Sequence, residues 1–267
     1  MKSRLARLLS VPFLLLAAAP PAKAGQSPWQ DFEGARLRLV TEDTRQADGR
    51  LRGALQIDLK PGWKTYWREP GDAGIPPLVN LMTATGGQAV DISFPLPRRF
   101  KDAYSTWAGY DAPVSLALTL SPPPGGFPDV LRVSAFLGVC KEICIPVQAE
   151  LETQTDDGSG AAETGHAFDT LPESATAEHG RIEAARIEGD ALVLTGRIPA
   201  YHALVRWFVA GSGGWSFGDP ETLPADGGTT KIALPVLARP KDGKGTIHYT
   251  FSGPPRGVSG TVEIRAD

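Results

Sequence analysis

The sequence predicts an all-β protein: an antiparallel β-sandwich followed by a second, smaller β-sandwich domain. Three observations carry that expectation. Glycine (30 residues) and proline (24) are scattered and cut the chain into short segments. Those segments alternate apolar and polar residues at period two, which is the period of a half-buried strand. Turn-forming clusters separate them, as in antiparallel sandwiches.

In chain order, residues 1–24 read as an export signal. Lys2, Arg4 and Arg7 form a basic start, Leu8 to Ala19 is an apolar run, and Ala22-Lys23-Ala24 offers small residues where a signal peptidase reads. The apolar run is shorter than the roughly 20 residues a spanning helix needs, and Pro12, Pro20 and Pro21 interrupt it. No cysteine follows Ala24 to carry a lipid, and no later stretch is long enough to cross a bilayer. The expected location is the periplasm, without membrane insertion. Removing the signal leaves 23 basic against 30 acidic residues, a formal charge of −7. An acidic surface without a basic block argues against nucleic acid and anionic lipid as partners.

A first domain is expected over residues 25–153. Ala54–Leu59 and Val114–Leu120 alternate cleanly. Leu131, Val133, Ala135 and Leu137 share one face of the next run, and Val147, Ala149 and Leu151 share one face of the run after it. Ala47-Asp48-Gly49 and Glu188-Gly189-Asp190 are turn signals between alternating runs. Residues 154–177 read as a linker, because Gln154 to Thr164 is rich in Asp, Gly, Ser and Ala and has no apolar period. A short helix is expected around Ala167 to Glu178. Strand-like runs resume over 178–267: Ile182–Ile187, Ala191–Ile198, Ala203–Val209, Lys231–Leu237, Thr246–Phe251 and Val258–Ile264.

Two cysteines, Cys140 and Cys144, are too few for the disulfide framework of a small secreted domain. They lie between two strand-like runs, and Pro146 keeps a helix from passing through them. A disulfide can close at this spacing if the residues between bulge outward. A ring of about five residues would add only about 2 kcal/mol on the chain-entropy model, so it is a weak staple. Small strained rings tend towards labile, oxidising disulfides. Lys141 would favour a thiolate and Glu142 would oppose it. The spacing leaves open reversible exchange, an inert turn disulfide, and a Cu(I) site with two soft ligands. For the metal, further ligands are not evident: His166, His179, His202 and His248 are distant, and Met82 is the one methionine after the signal.

Two aromatic stretches stand out. In Lys60 to Pro77, where Trp63, Tyr66 and Trp67 precede a Pro/Gly-rich turn, the favoured role is sandwich core, filled by Trp63 and Trp67, over a docking surface. Phe94 to Tyr110 is aromatic, basic and turn-rich, and reads as a loop between strands, either a surface loop with ordinary packing or one that shields a reactive disulfide through Tyr104 and Trp107.

Gly62–Trp67 with Gly71-Asp72-Ala73-Gly74, then Phe94-Pro95-Leu96-Pro97 with Gly109-Tyr110, then Cys140-Lys141-Glu142-Ile143-Cys144-Ile145-Pro146 occur in this order. The combination resembles the N-terminal periplasmic domain of the DsbD thiol:disulfide interchange proteins, in the branch that includes the ScsB-like proteins. The resemblance spans roughly residues 29–153. It implies an immunoglobulin-like fold with a redox-active Cys140–Cys144 disulfide, and Cys144 as the sulfur that forms mixed disulfides. It implies a cap over that disulfide within Phe100 to Gly109, with Tyr104 the first candidate for the shielding ring, Trp107 the next, and Phe100 at the start of the region. It implies thioredoxin-like partners, a DsbD/CcdA-like membrane electron carrier as the source of electrons, periplasmic clients that include cytochrome c maturation thioredoxins, and no bound cofactor or metal. Well-known members space the cysteines further apart. The chain shows neither a membrane core nor a thioredoxin-like domain, so a stand-alone form served by separate proteins is expected, with copper stress or oxidative repair as settings.

Overall fold

The alternating runs form strands in a computed structural model that describes residues 25–71, 74–101, 106–155, 159–199, 205–253 and 255–265. The expected signal, Met1 to Ala24, and Tyr104 lie outside the described residues. The first twelve strands are β1 (Gln30–Asp31), β2 (Ala35–Arg45), β3 (Leu51–Leu59), β4 (Lys64–Tyr66), β5 (Leu78–Thr83), β6 (Gly86–Ala89), β7 (Asp91–Ser93), β8 (Arg98–Lys101), β9 (Thr106–Tyr110), β10 (Val114–Leu120), β11 (Val130–Cys140) and β12 (Cys144–Gln154).

They form two sheets. One has the order β1-β2-β3-β10-β7, and the other β6-β5-β11-β4-β9-β8 with β12 added on β11. β12 pairs with β11 along its whole length, from Val130↔Gln154 to Cys140↔Cys144. β5 and β4 pair with successive stretches of β11, at Val133–Phe136 and Val139–Cys140. The sheet therefore runs β12-β11-β4-β9-β8 at its cysteine end. The period-two faces meet between the sheets: Leu37, Leu39, Leu55, Leu116 and Leu118 pack in one cluster with Leu131, Val133, Leu137, Val139 and Leu151. This is the sandwich that the alternation implies.

The helix α1 (Ala161–Asp169) lies earlier than the expected Ala167–Glu178. It begins inside the stretch that reads as linker. Ala167, with Phe168 and Leu171 against it, packs on Val40, Ala54 and Ala117 on the outer side of the first sheet. Small side chains there let a helix approach closely, and a helix burying so few apolar residues has a weak sequence period.

The remaining strands are β13 (Glu173–Ser174), β14 (Arg181–Glu188), β15 (Ala191–Arg197), β16 (Trp207–Gly211), β17 (Ser216–Phe217), β18 (Glu221–Leu223), β19 (Thr230–Ala238), β20 (Thr246–Phe251) and β21 (Val258–Arg265). Their order is β16-β20-β21-β14-β15-β19-β17, with β13 on β21 and β18 on β19. β21 takes β13 and β14 as parallel neighbours. β16 and β17 end the order at opposite sides yet pack together, so the sheet curls around Leu192, Leu194, Trp215, Ile232, Ile247 and Phe251. Phe208 and Ala210 of β16 join the core of the first sandwich instead. Phe208 meets Trp67 edge-on, with ring centroids 6.0 Å apart.

Candidate functional site: a hairpin disulfide beside an aromatic row

Cys140 ends β11, Cys144 begins β12, and the two are joined by a disulfide. They are cross-strand partners in register, so the hairpin itself brings the sulfurs together. Lys141, Glu142 and Ile143 form the connection, closed by the Lys141 amide donating to the Ile143 carbonyl at 3.2 Å. The two sulfur-bearing residues differ in access. Cys140 is 7% exposed, whereas Cys144 lies exposed on the edge strand, next to Ile143 at 71%.

Strand alternation decides what surrounds the disulfide. Val139, Thr65 and Trp67 point inward, while Cys140, Gly138, Lys64 and Tyr66 share the outer face. Gly138 provides the opening there. An added Cβ would stand 3.0 Å from the Ile75 Cβ and 3.1 Å from the Tyr66 ring. With no side chain in the way, the Tyr66 ring crosses Gly138, and its hydroxyl donates towards both sulfurs, at 2.8 Å to Cys140 Sγ and 3.0 Å to Cys144 Sγ. The Thr65 hydroxyl anchors the same place by donating to the Gly138 carbonyl at 2.8 Å.

The row continues across the sheet. Trp107 of β9 meets Tyr66 edge-on at 5.3 Å, and Phe100 of β8 stacks on Trp107 at 4.3 Å. The Lys64 ammonium sits 5.3 Å from the Phe100 ring centre and 5.2 Å from that of Trp107. Such placements are attractive. Phe100 and Trp107 are thus brought together beside the disulfide, with Tyr66 as the ring in contact with the sulfurs. Tyr66 was not singled out as a site residue by the sequence reading. The usable signal was the alternation in Thr65-Tyr66-Trp67, which sends Tyr66 to the face opposite Trp67. Trp67 is core at 2% exposed, and Trp63 packs partly buried against the same cluster.

The described residues of the Phe94–Tyr110 stretch form the antiparallel pair β8 and β9 and the segment leading into it, strands where the sequence reads as a loop. Tyr110 closes its base by donating to the Pro95 carbonyl at 2.8 Å. Burial pushes the Tyr110 phenol pKa up, against the opposing pull of the Arg68 guanidinium. Further along the outer face, Phe136 (37% exposed) and Leu78 (56% exposed) are cross-strand neighbours. Among the described residues, no group of three or more His, Cys, Asp or Glu side chains gathers to hold a metal. No described helix is long and apolar enough to cross a membrane.

Residues 36–156 match the family model described as "Thiol:disulfide interchange protein DsbD, N-terminal". The crystal structure of the N-terminal periplasmic domain of ScsB from Proteus mirabilis superposes with a TM-score of 0.69 at 19% identity, covering 90% of this chain and 99% of that one. It shares the fold across both halves. A chimeric titin Z1Z2-Z1Z2 tandem aligns over 81% of this chain and 91% of its own at 12% identity, with a TM-score of 0.19 that supports no structural argument. A search of curated proteins gave no match.

Proposed function

Residues 36–156 belong to the DsbD N-terminal family of thiol:disulfide interchange proteins, and from that premise we propose that this chain relays reducing equivalents in the periplasm through Cys140 and Cys144. The supporting observation is the asymmetric exposure of a hairpin disulfide whose two sulfurs share one phenol. A thiolate of a reduced thioredoxin-like partner attacks the exposed Cys144 Sγ. The Cys140–Cys144 bond breaks, a mixed disulfide forms, and Cys140 leaves as a thiolate. Tyr66 donates to that departing sulfur. The partner's second thiolate then attacks its own sulfur in the mixed disulfide and releases Cys144. Two electrons and two protons have moved: the partner dithiol is now a disulfide, and Cys140 and Cys144 are thiols. Reversal of the same steps passes the electrons to an oxidised client.

In this reading a DsbD/CcdA-like membrane carrier re-reduces the thioredoxin-like donor, and the exchange needs no cofactor beyond the two thiols. Phe100 and Trp107 shield the sulfurs by covering Tyr66 from the side. The redox unit spans residues 25–153 and the second unit 178–267, joined by the segment 154–177.

Trapping tests the proposal. A Cys140→Ser variant retains only Cys144 and, mixed with an oxidised thioredoxin-like protein, should accumulate a mixed disulfide visible by mass spectrometry. Cys144→Ser should accumulate far less. Equal trapping by both variants would contradict the assignment of Cys144 as the attacked sulfur.

A further inference from the structure

The aromatic row beside the disulfide rests on a thinly supported strand. Among the described residues, β8 is the last strand of its sheet and its backbone pairs with β9 alone, over four register positions. Two short strands alone are marginal in water. At the start of β8, Arg98 pairs with Asp111, with 2.8 Å between Nη1 and the nearer carboxylate oxygen. Phe100, the residue that stacks on Trp107, lies two positions further out.

Alternation places Arg99 on the face opposite Phe100. The Arg99 side chain reaches the C-terminal unit. Its Nη1 pairs with Asp219, its Nη2 donates to the Trp207 carbonyl at 2.8 Å, and its guanidinium carbon lies 5.4 Å from the Phe208 ring centre. The hairpin and the C-terminal sheet are not packed flush there. A cavity of about 380 Å³ opens between them, lined by Trp107, Ala108, Arg99, Phe208 and Asp219 among others. Arg99 bridges the two units beside this space, so its guanidinium ties the face of β8 opposite the Phe100–Trp107 stack to the C-terminal unit.

We propose that the C-terminal unit acts as a clamp on the β8–β9 hairpin, with Arg99 as a positioning residue. Held by Asp219 and the Trp207 carbonyl, Arg99 keeps Phe100 and Trp107 beside the Cys140–Cys144 disulfide and so restrains access to it. The connection runs from Asp219 to Arg99, through the β8 backbone to Phe100, then to Trp107, Tyr66 and the sulfurs. This gives the C-terminal half a task in the exchange, and it rests on the functional reading above.

The test uses the full chain and dithiothreitol as the reductant, with thiol release followed by rapid alkylation. Arg99→Met keeps much of the side-chain stem and removes the guanidinium. It should speed reduction about tenfold, the effect of losing one charge-assisted hydrogen bond, with a urea midpoint close to the parent's. Asp219→Asn should show a smaller acceleration, and it is the variant to rely on if Arg99→Met does not fold. Trp107→Ala should also speed reduction. In the Trp107→Ala background, adding Arg99→Met should change little, because both act through one row. A purely structural role would instead leave the two effects multiplying. Ready reduction at the parent rate in both Arg99→Met and Asp219→Asn, or multiplying effects, overturns the clamp alone. A disulfide that no variant yields to dithiothreitol overturns the functional reading and the clamp with it.

Discussion

Replacing Tyr66 by phenylalanine removes one oxygen and keeps the ring that crosses Gly138 and meets Trp107. That oxygen is 2.8 Å from Cys140 Sγ and 3.0 Å from Cys144 Sγ. In the disulfide it donates to neutral sulfur, which is a weak acceptor. During attack on Cys144, negative charge grows on Cys140 and the same hydroxyl becomes a donor to an anion. A hydrogen bond to a charged group contributes about 1.5–3 kcal/mol. With the charge only partly developed in the transition state, the lower end applies, so about 1.5 kcal/mol is lost and the rate falls about tenfold. The assay is the second-order rate of reduction by a reduced thioredoxin-like protein at neutral pH, followed by alkylation and mass analysis. The urea midpoint is measured alongside to show that the fold is retained. A rate for Tyr66→Phe equal to or above the parent's would refute the assignment of Tyr66 as donor to the leaving sulfur.

Two further outcomes follow from the same geometry. Gly138→Val would force side-chain atoms against the Ile75 Cβ and the Tyr66 ring, which an added Cβ already approaches to 3.0 and 3.1 Å. Overpacking of this kind costs about 1–3 kcal/mol, read as a lower urea midpoint, and displacing Tyr66 should slow exchange as Tyr66→Phe does. The pH dependence at the alkaline end should report Tyr110. Desolvation raises its folded-state pKa, with Arg68 opposing, so the folded chain holds the phenol neutral while the unfolded chain ionises it. The stability linked to this group is fully present below the ordinary tyrosine value of about 10 and is lost as pH rises from there towards the folded-state value. Urea midpoints from pH 8 to 11 should fall, and fall less steeply in Tyr110→Phe. An identical slope in both proteins would count against the buried phenol as the cause.

The elements with clean alternation were legible in the sequence. Val114–Leu120 is β10 and Thr246–Phe251 is β20 residue for residue, because large apolar residues recur at every second position and fill a core face: Leu116, Leu118 and Leu120 in one, Ile247, Tyr249 and Phe251 in the other. The place of the cysteine turn was legible too, since the alternating runs ending at Leu137 and resuming at Val147 flank it; that both strands extend to the cysteines themselves was not. Other features depend on contacts that local pattern does not encode. Tyr66 reaches the sulfurs only because Gly138, far along the chain, has no side chain. Arg99 looks like an ordinary loop cation until β16 and Asp219 fold beside it. The helix α1 sits on small residues of β2, β3 and β10, and its own polar sequence gives a weak period. The Phe94–Tyr110 stretch hid its strands because β8 and β9 are short and half-buried, which blurs the alternation.

The reduction potential of the Cys140–Cys144 pair tests the central claim most directly. A hairpin ring this small adds only about 2 kcal/mol as a staple, and a disulfide built for exchange must lie within reach of cellular dithiols. Equilibration with glutathione or thioredoxin redox buffers, quenched with acid and read by mass after alkylation, gives the value. We expect a potential above about −300 mV, the region of labile and catalytic disulfides. A value well below that would mark a resistant structural bond and contradict the relay.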